Sequence, residues 1–368
     1  MKKRIAIIGS GIAGLTLGNL LLTNSEFEFV IYEKNNILDL NEGFGIQLSV
    51  NSIYVLNKIG FSQLNANEKY HPTQLDFYSI NFDKICDLNL EIFNLENEKY
   101  TTLKRSTLIK FLKEKLLSNS IIFRKQVNKV EKNNEKINIS FTDGSNDEVD
   151  FLIVSDGVFS NTKSILEKKF FKPKYYGAIA IRSQIKVEDI SNLNSNNISL
   201  IMGDNAHLVL YPVNKKKEIN LVCIIRKKSD VSDSIKKILE NTILKENKNL
   251  ANLFKEELKS WPIYTSSGPV KSFYKNVLYM GDAFYTFPPT LAQGASQSIE
   301  SASEIPRKQT NQILHLLHGL AKVVLINYSP EGVPSHLLFQ NVCRQRWRGY
   351  RSLSFLWCCL GPQVESTT

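Results

Sequence analysis

The chain has 368 residues, of which 42% are hydrophobic and 22% charged, enough for two domains with a large core and unlike a disordered protein. Its formal net charge of +10 would suit nucleic acid, an anionic membrane or anionic small molecules. No nucleic-acid motif accompanies the charge, so we predict no nucleic-acid partner. The apolar runs are too short for stable membrane insertion, and the five cysteines lack CxxC or metal-ligand spacing. We therefore predict a cytoplasmic protein without a metal site.

The N-terminal segment predicts a βαβ unit with a glycine-rich turn. A strand at residues 5–8 runs into the turn, a helix follows at residues 15–22, and a strand at residues 27–32 ends at Glu33. The basic start and the apolar run would also suit a signal peptide, but that alternative does not explain the GxGxxG spacing. The turn favours dinucleotide binding, and its predicted contact residues are Gly9, Gly11, Ile12, Ala13 and Gly14.

Each part of this unit has a physical reason to meet a dinucleotide. Gly9 permits the tight turn, Gly11 lets the backbone approach a pyrophosphate, and Gly14 lets the helix pack closely on the strand. The positive end of the helix dipole attracts the phosphates. Glu33, 19 residues after Gly14, is expected to accept hydrogen bonds from ribose hydroxyls, with Lys34 beside it. Because NAD and FAD share this fingerprint, later segments must decide between them.

Two later segments each place an aspartate and a glycine directly after an apolar strand. Residues 151–154 lead into Asp156 and Gly157, and residues 277–280 lead into Gly281 and Asp282. Between them, residues 179–225 show the alternating pattern of antiparallel strands. A proline and a predicted helix start follow the second pair, at Pro289, Gln293, Gly294 and Ala295.

This order of motifs resembles that of the class A FAD monooxygenases, the family of para-hydroxybenzoate hydroxylase and salicylate hydroxylase. The resemblance covers residues 1 to about 302. It implies that Asp156 and Gly157 serve the pyrophosphates of FAD and NAD(P)H, and that Asp282 holds the ribityl chain of FAD. It also matches three further cofactor contacts, at Gly45, Gln47 and Arg105.

The fold implied by this resemblance is α/β, a Rossmann-like FAD-binding sheet with an inserted antiparallel substrate-binding sheet. The FAD-binding domain would be discontinuous, comprising residues 1–70, 101–170 and 263–304. The substrate-binding domain would comprise residues 71–100 and 171–262.

The function implied is that of an FAD-dependent monooxygenase that uses NAD(P)H and O2 to hydroxylate a small aromatic substrate. A reduced flavin carries negative charge near its N1 and C2 carbonyl, and a helix starting near Gly294 would direct its N–H groups at that charge. Pro289 would shape the wall beside the flavin without offering a competing donor. Two alternatives stay open: a flavin-dependent reductase or dehydrogenase of the same fold, and an FAD-binding protein without catalysis.

Four positions depart from the family pattern. Lys163 stands in place of an arginine, which keeps the charge but loses the bidentate grip on a phosphate. Tyr285 replaces a histidine, Ser296 replaces an asparagine, and Ser301 stands where an acid is common. The non-catalytic alternative would be favoured if these departures are disabling.

The predicted substrate-side residues lie on a strand near residue 210. Its alternation puts His207 and Tyr211 on one face, and the resemblance implies that this strand lines the substrate pocket. We consider both residues catalytic, together with Pro289. His207 would act as a base toward a phenol near neutral pH, or else it is a histidine packed in the sheet. Arg182, on an earlier strand, would pair with a substrate carboxylate or form an ordinary surface ion pair.

The C-terminal segment, residues 305–368, has a different composition. It holds 5 of the 10 arginines but only 2 of the 36 lysines, and three of the five histidines. Pro306 should also break the helix that starts at Gly294. We interpret the segment as an atypical tail that is out of register with the original gene; the alternative is a divergent C-terminal region.

Overall fold

The computed structural model describes residues 2–38, 40, 44–133, 135–190, 192–230, 233–266, 272, 274–286 and 292–305. Pro289 and residues 306–368, which include almost all of the atypical tail, lie outside the described residues. Among the described helices, none combines the length and the hydropathy that crossing a bilayer requires.

The described strands alternate with short helices along the chain. In chain order the strands are β1 (Lys3–Ile8), β2 (Phe27–Tyr32), β3 (Gly45–Leu48), β4 (Lys69–Tyr70), β5 (Gln74–Ser79), β6 (Lys84–Asn89), β7 (Thr101–Lys104), β8 (Ile121–Ile122), β9 (Val127–Asn133), β10 (Lys136–Phe141), β11 (Asn146–Val149), β12 (Phe151–Val154), β13 (Lys174–Ile185), β14 (Ile198–Met202), β15 (Ala206–Pro212), β16 (Ile219–Arg226), β17 (Lys259–Thr265) and β18 (Val277–Tyr279). The α-helices are α1 (Ile12–Leu21), α2 (Val50–Asn57), α3 (Arg105–Glu114), α4 (Asn161–Leu166), α5 (Ile235–Asn241), α6 (Ile243–Glu246) and α7 (Gly294–Glu304).

A parallel sheet forms the centre of the first domain. Its strand order is β18-β12-β1-β2-β8, and every pairing in it is parallel. The central strand reads Ile5-Ala6-Ile7-Ile8 and is buried on both faces, as parallel strands covered by helices are. The carboxyl ends of β1, β12 and β18 therefore meet at one edge, and each is followed by one of the glycine motifs.

A seven-stranded sheet forms the second domain, in the order β17-β13-β16-β15-β14-β5-β6. Its pairings are antiparallel except for β14 with β5, which run parallel. One face is covered by α5 and α6, where Leu208 and Cys223 pack on Leu239 and Ile243. The opposite face turns toward the first domain, so the predicted insertion of a second sheet is confirmed, with one parallel pair in it.

A short strand joins the two domains. Gly45–Leu48 forms β3 and pairs antiparallel with β7. The Gly45 N–H donates to Asn220 Oδ1 at 2.6 Å, and the Thr102 hydroxyl donates to the Pro212 carbonyl at 2.5 Å. A salt bridge between Lys104 and Glu218 lies beside them. These contacts hold β15 and β16 against the edge of the first domain.

Candidate flavin and substrate site

The glycine turn after β1 is held so tightly that side chains are excluded from it. Gly9 has φ of 102°, and a Cβ there would lie 2.6 Å from the Ser155 carbonyl oxygen. A Cβ on Gly14 would lie 2.1 Å from the Gly9 carbonyl oxygen. Both positions therefore require glycine, which is the reason the turn can pass between β1, α1 and the end of β12.

Gly11 differs from these two because its surroundings are open. A Cβ on Gly11 would meet no atom within 4 Å, and no side chain caps the N-terminus of α1. The first N–H groups of the helix, at Ile12 and Ala13, have no intrahelical acceptors. The position thus has the two properties that a pyrophosphate needs, free N–H donors and a backbone that it can approach closely.

Glu33, at the end of β2, is buried at 8% exposure. Its Oε2 accepts from the Ser10 N–H at 3.0 Å and from the Ser10 hydroxyl at 2.6 Å, and its Oε1 accepts from the Asn35 N–H at 2.9 Å. A carboxylate offers about four acceptor sites, so three bonds leave room for one hydroxyl donor. Glu33 therefore also ties β2 to the glycine turn, while Lys34 is exposed.

The segment after β12 lies directly against the glycine turn. The Ser155 hydroxyl donates to the Ile8 carbonyl at 2.8 Å, and Gly157 takes a left-handed conformation with φ of 86°. Asp156 Oδ2 accepts from the Thr162 N–H at 3.2 Å. Asp156 Oδ1 is buried and has no hydrogen-bond partner among the described residues. A buried acceptor without a donor is costly, so this atom fits a site completed by a ligand.

The segment after β18 brings a second aspartate to the same place. Gly281 has φ of 57°, and a Cβ there would lie 3.0 Å from Ala13 Cβ, so the segment touches the first turn of α1. Burial raises the pKa of Asp282 to about 6. No group in the described part of the chain donates a hydrogen bond to its carboxylate, which fits the ribityl hydroxyls that the resemblance assigns to it.

Lys163 connects the two aspartate segments instead of reaching outward. Its ammonium is buried, donates to the Ala283 carbonyl at 2.9 Å and lies 5.2 Å from the centre of the Phe171 ring. Burial lowers the pKa of Lys163, although the charge of Asp156 opposes this. Its bond crosses 120 residues of sequence and fastens the segment that carries Asp282.

The N-terminus of α7 is the predicted helix start after the second aspartate segment. Ala292 takes a left-handed conformation with φ of 52° before Gln293, and no side chain caps the helix. A Cβ on Gly294 would meet no atom within 4 Å. The first N–H groups of α7 therefore have no side-chain cap and open space beside Gly294, which is compatible with the predicted role of this helix start.

A hydroxyl network behind α7 was not found by the sequence analysis. The Ser296 hydroxyl accepts from the Ser49 N–H at 3.0 Å and from the Ser52 hydroxyl at 2.8 Å. The Ser49 hydroxyl donates to Glu300 at 3.2 Å, and burial raises the pKa of Glu300 to about 7. The only local signal is Ser49 as the N-cap of α2. Ser296, which departs from the family pattern, thus fixes α7 against α2.

The predicted contacts at β3 and α3 lie where the two domains meet. A Cβ on Gly45 would lie 2.6 Å from Val213 Cγ1 and 2.8 Å from the Tyr211 ring. Gln47 accepts at 2.8 Å from the hydroxyl of Tyr100, a residue that the sequence analysis did not identify. The Arg105 N–H donates to the Phe44 carbonyl at 2.9 Å, and its side chain makes no ion pair with any residue that the structure describes.

His207 and Tyr211 lie on the face of the second sheet that turns toward the first domain. His207 pairs with Met202 and Ile224, and Tyr211 pairs with Asn220. Both are buried, at 6% and 3% exposure. Burial lowers the pKa of His207 to about 4 and raises that of Tyr211. The imidazole is therefore neutral at pH 7, which differs from the expected titration near neutrality.

The comparisons with known proteins agree with this geometry. The FAD-binding domain family matches residues 2–333. The chain belongs to this family. The 6-hydroxynicotinate 3-monooxygenase of Bordetella bronchiseptica is 26% identical over 322 residues, covering 83% of this chain and 82% of its own. The 3-amino-4-hydroxybenzoate 2-monooxygenase of Streptomyces cremeus is 22% identical, covering 82% and 77% of the two chains. The family match extends past residue 305, where the composition changes.

Solved structures show the same fold. Klebsiella pneumoniae HpxO, crystallised with FAD and uric acid, superposes with a TM-score of 0.76 at 15% identity and covers 97% of this chain and 92% of its own. The predicted family, the α/β fold, the FAD cofactor and the class of FAD-dependent monooxygenase are confirmed. The residues present also fit FAD, since open N–H groups and acceptors without donors converge at one sheet edge.

The two glycines of the turn should respond differently to alanine. Gly14→Ala places a methyl group against a backbone oxygen and should destabilise the protein by about 1–3 kcal/mol. Gly11→Ala meets no atom and should change the free energy of unfolding by less than about 1 kcal/mol, while FAD affinity falls at least about tenfold because the methyl group blocks the pyrophosphate. Urea unfolding of apoprotein and FAD titration measure both quantities. Unchanged FAD affinity in Gly11→Ala would place the pyrophosphate elsewhere.

Asp282 should stabilise FAD and destabilise the apoprotein. Asp282→Ala removes an acceptor for ribityl hydroxyls and should cost about 1.5–3 kcal/mol of FAD binding, as charged hydrogen bonds do. Because burial raises the pKa of Asp282 to about 6, ionisation opposes folding. The apoprotein should lose stability as the pH rises from about 4, the pKa of an unfolded aspartate, to about 6.

The isosteric variant Asp282→Asn checks the predicted effect of the Asp282 charge on apoprotein stability. Its apoprotein should be more stable than wild type at pH 8 and equally stable below pH 4, measured by urea unfolding. Asp233→Asn, at an exposed aspartate, is the matched control and should leave FAD affinity unchanged. Equal FAD affinity in wild type and Asp282→Ala would show that Asp282 is only a strand-end acid.

Proposed function

We propose that the protein hydroxylates a small aromatic ring, with NAD(P)H and O2 as co-substrates, at FAD held by the three glycine-containing segments. One observation carries this proposal. The face of the second sheet that holds His207 and Tyr211 packs against Gly45, one of the proposed cofactor contacts. The Gly45 N–H donates to Asn220 on this face, and a Cβ on Gly45 would lie 2.8 Å from the Tyr211 ring. Two relatives are named as monooxygenases of 6-hydroxynicotinate and 3-amino-4-hydroxybenzoate, whose rings already bear a hydroxyl group. These names support an electron-rich aromatic substrate.

FAD, when bound and reduced by NAD(P)H, supplies the activation of O2 and the transfer of one oxygen atom to the ring. The chain's own residues bind FAD and orient the substrate. The N-terminus of α1 and the Asp156 segment hold the phosphates, Asp282 holds the ribityl chain, and the N–H groups of Gly294 and Ala295 stabilise negative charge on the ring system. The apolar, buried face around Tyr211 excludes water from the reacting ring.

His207 is proposed to accept the proton of the substrate hydroxyl. A neutral imidazole can accept that proton, and burial keeps His207 neutral throughout the physiological range by lowering its pKa. Because the same burial makes the imidazole a weaker base, proton transfer depends on the negative charge that develops on the substrate oxygen beside it, which stabilises the imidazolium. Because a phenolate is more electron-rich than a phenol, removal of the proton favours attack by an electrophilic oxygen. Tyr211, on the same face, would orient the ring, and Pro289 is proposed to shape the wall beside the flavin.

The test of this function also distinguishes it from the two alternatives, a flavin-dependent reductase or dehydrogenase and a non-catalytic FAD-binding protein. FAD-loaded protein is given NADH or NADPH and a panel of hydroxylated aromatic compounds under ¹⁸O2, and the products are analysed by mass spectrometry. Incorporation of one ¹⁸O atom, with faster NAD(P)H oxidation when the ring is present, supports the monooxygenase. NAD(P)H oxidation with transfer to another acceptor and no ¹⁸O in the ring indicates a reductase. Tightly bound FAD without any turnover indicates a non-catalytic protein.

The role of His207 predicts a particular pH profile. Since its pKa is lowered to about 4, wild-type turnover should show no loss from His207 protonation between pH 8 and pH 5. His207→Gln should lower substrate-stimulated turnover by about 10²-fold or more, as loss of a general base does. A substrate whose hydroxyl is already ionised at the assay pH should largely restore the rate. Equal losses with both kinds of substrate would give His207 a packing role.

A further inference from the structure

The hydroxyl network behind α7 ends at an acid, Glu300, on the same helix. Glu300 Oε1 accepts from the Ser49 hydroxyl at 3.2 Å, and the Ser49 hydroxyl lies 2.7 Å from that of Ser52. The Ser52 hydroxyl donates in turn to the Ser296 hydroxyl at 2.8 Å. Ser296 is the third residue of α7, directly after the helix start at Gly294. Three hydroxyl groups therefore connect the carboxyl of Glu300 with the start of its own helix.

Ser49 is the point at which this chain joins the other elements of the site. Its N–H donates to the Ser296 hydroxyl at 3.0 Å, and its hydroxyl accepts from the Ser52 N–H at 3.3 Å as the N-cap of α2. Ser49 also follows the last residue of β3, the strand that carries two of the predicted flavin contacts. Glu300 is thus bonded to the residue that joins β3, α2 and α7.

The surroundings of Glu300 make its charge sensitive to pH. The helix packs against α1, α2, β3 and the turn that carries Asp282. Neither α1 nor β3 contains a titratable side chain, α2 contributes Tyr54, and α7 itself contributes Glu304. Burial raises the pKa of Glu300 to about 7, and the hydrogen bond from Ser49 opposes the rise. Glu300 therefore changes its charge near neutral pH.

Glu300 is close enough to the helix start for that charge to act there. It follows Gly294 by six residues, which corresponds to about 9 Å along the helix axis. Two charges at this separation in a partly buried setting change an equilibrium by roughly tenfold. The start of α7 is predicted to stabilise negative charge on the reduced flavin through its dipole. An ionised Glu300 opposes the same charge.

We infer that Glu300 is a positioning residue that makes the reduction potential of the bound flavin depend on pH. Ionised Glu300 lowers the potential, because its charge repels the negative charge of the reduced ring system, and protonated Glu300 does not. The hydroxyls of Ser49, Ser52 and Ser296 hold the carboxyl at a fixed place relative to the helix start. The inference rests on the proposed function for the position of FAD and deepens it by adding a residue that controls the cofactor.

The test compares the reduction potential of bound FAD in wild type and in Glu300→Gln, an isosteric variant without the charge. Both proteins are reduced slowly without aromatic substrate, against dyes of known potential, at pH 5.5, 7 and 8.5. The two potentials should agree at pH 5.5. At pH 8.5 the wild-type potential should be lower by about 30 mV, which is a tenfold effect on a two-electron couple. Asp282 is present in both proteins, so its own titration cancels in the comparison.

Two further variants show whether the effect comes from the charge and from its hydroxyl partner. Glu300→Asp keeps a carboxylate and should retain part of the pH-dependent difference from Glu300→Gln. Ser49→Ala removes the hydrogen bond that favours the ionised form, so the inflection in the potential should move to higher pH. If Glu300→Gln does not retain FAD, an inflection that Ser49→Ala leaves in place overturns the inference.

A measurement on the apoprotein locates the titration of Glu300 without any flavin. Because its pKa is raised, ionisation of Glu300 opposes folding, and the wild-type apoprotein should lose stability as the pH rises from about 4.5 to about 7. Glu300→Gln should lose less stability over this range in urea unfolding. The matched control is Glu240→Gln, which removes the same charge from an exposed position on α5. It should leave both the potential and the pH dependence of unfolding unchanged.

Three results would overturn the inference. These are equal potentials of wild type and Glu300→Gln at every pH, a difference that does not change with pH, and the same pH dependence of unfolding in both apoproteins. The second result would give Glu300 a packing role only. Ring hydroxylation with equal potentials overturns only this inference, whereas a pH-dependent difference without ¹⁸O incorporation overturns only the proposed function.

Discussion

The cofactor site depends on backbone segments that approach one another more closely than any side chain allows. The Gly9 turn passes within contact of the Ser155 carbonyl, α1 begins directly on that turn at Gly14, and Gly281 lies against Ala13. Because no side chain separates these segments, the ends of β1, β12 and β18 converge at one edge of the parallel sheet. That convergence brings free helix N–H groups and two aspartates into a single site, where a dinucleotide's phosphates and ribityl hydroxyls would find matching partners.

A second consequence is that the polar groups around the site are tied to one another over long stretches of chain. Glu33 holds Ser10, Lys163 holds the Ala283 carbonyl, and Ser296 holds Ser49. Asp156 Oδ1 and the Asp282 carboxylate stand apart from this pattern, since neither meets a donor in the described chain. The described chain thus satisfies the groups that build the scaffold and leaves these two acceptors without donors, at a cost in apoprotein stability that a ligand donating to them would offset.

The second sheet likewise has one face that builds the scaffold and one face that is turned toward the cofactor domain. One face of the second sheet is covered by α5 and α6 and is apolar. The other carries His207, Tyr211 and Arg182 among small and aliphatic residues, and the Gly45–Asn220 contact holds this face against the cofactor domain. Strands hold such side chains more firmly than loops do, so this face is a rigid surface beside the cofactor domain.

The sequence alone determined the features that depend on neighbouring residues. Glycine spacing after an apolar strand, strand-end acids at residues 33, 156 and 282, and alternation around residue 210 are local patterns. They led to the family, the fold and the predicted cofactor contacts. The tertiary structure alone decided which distant groups meet. Gly45 meets Asn220 across 175 residues, and Ser49 meets Ser296 across 247. It also decided the neutral state of His207, because burial is a property of the surrounding fold and leaves no mark on the sequence next to the residue.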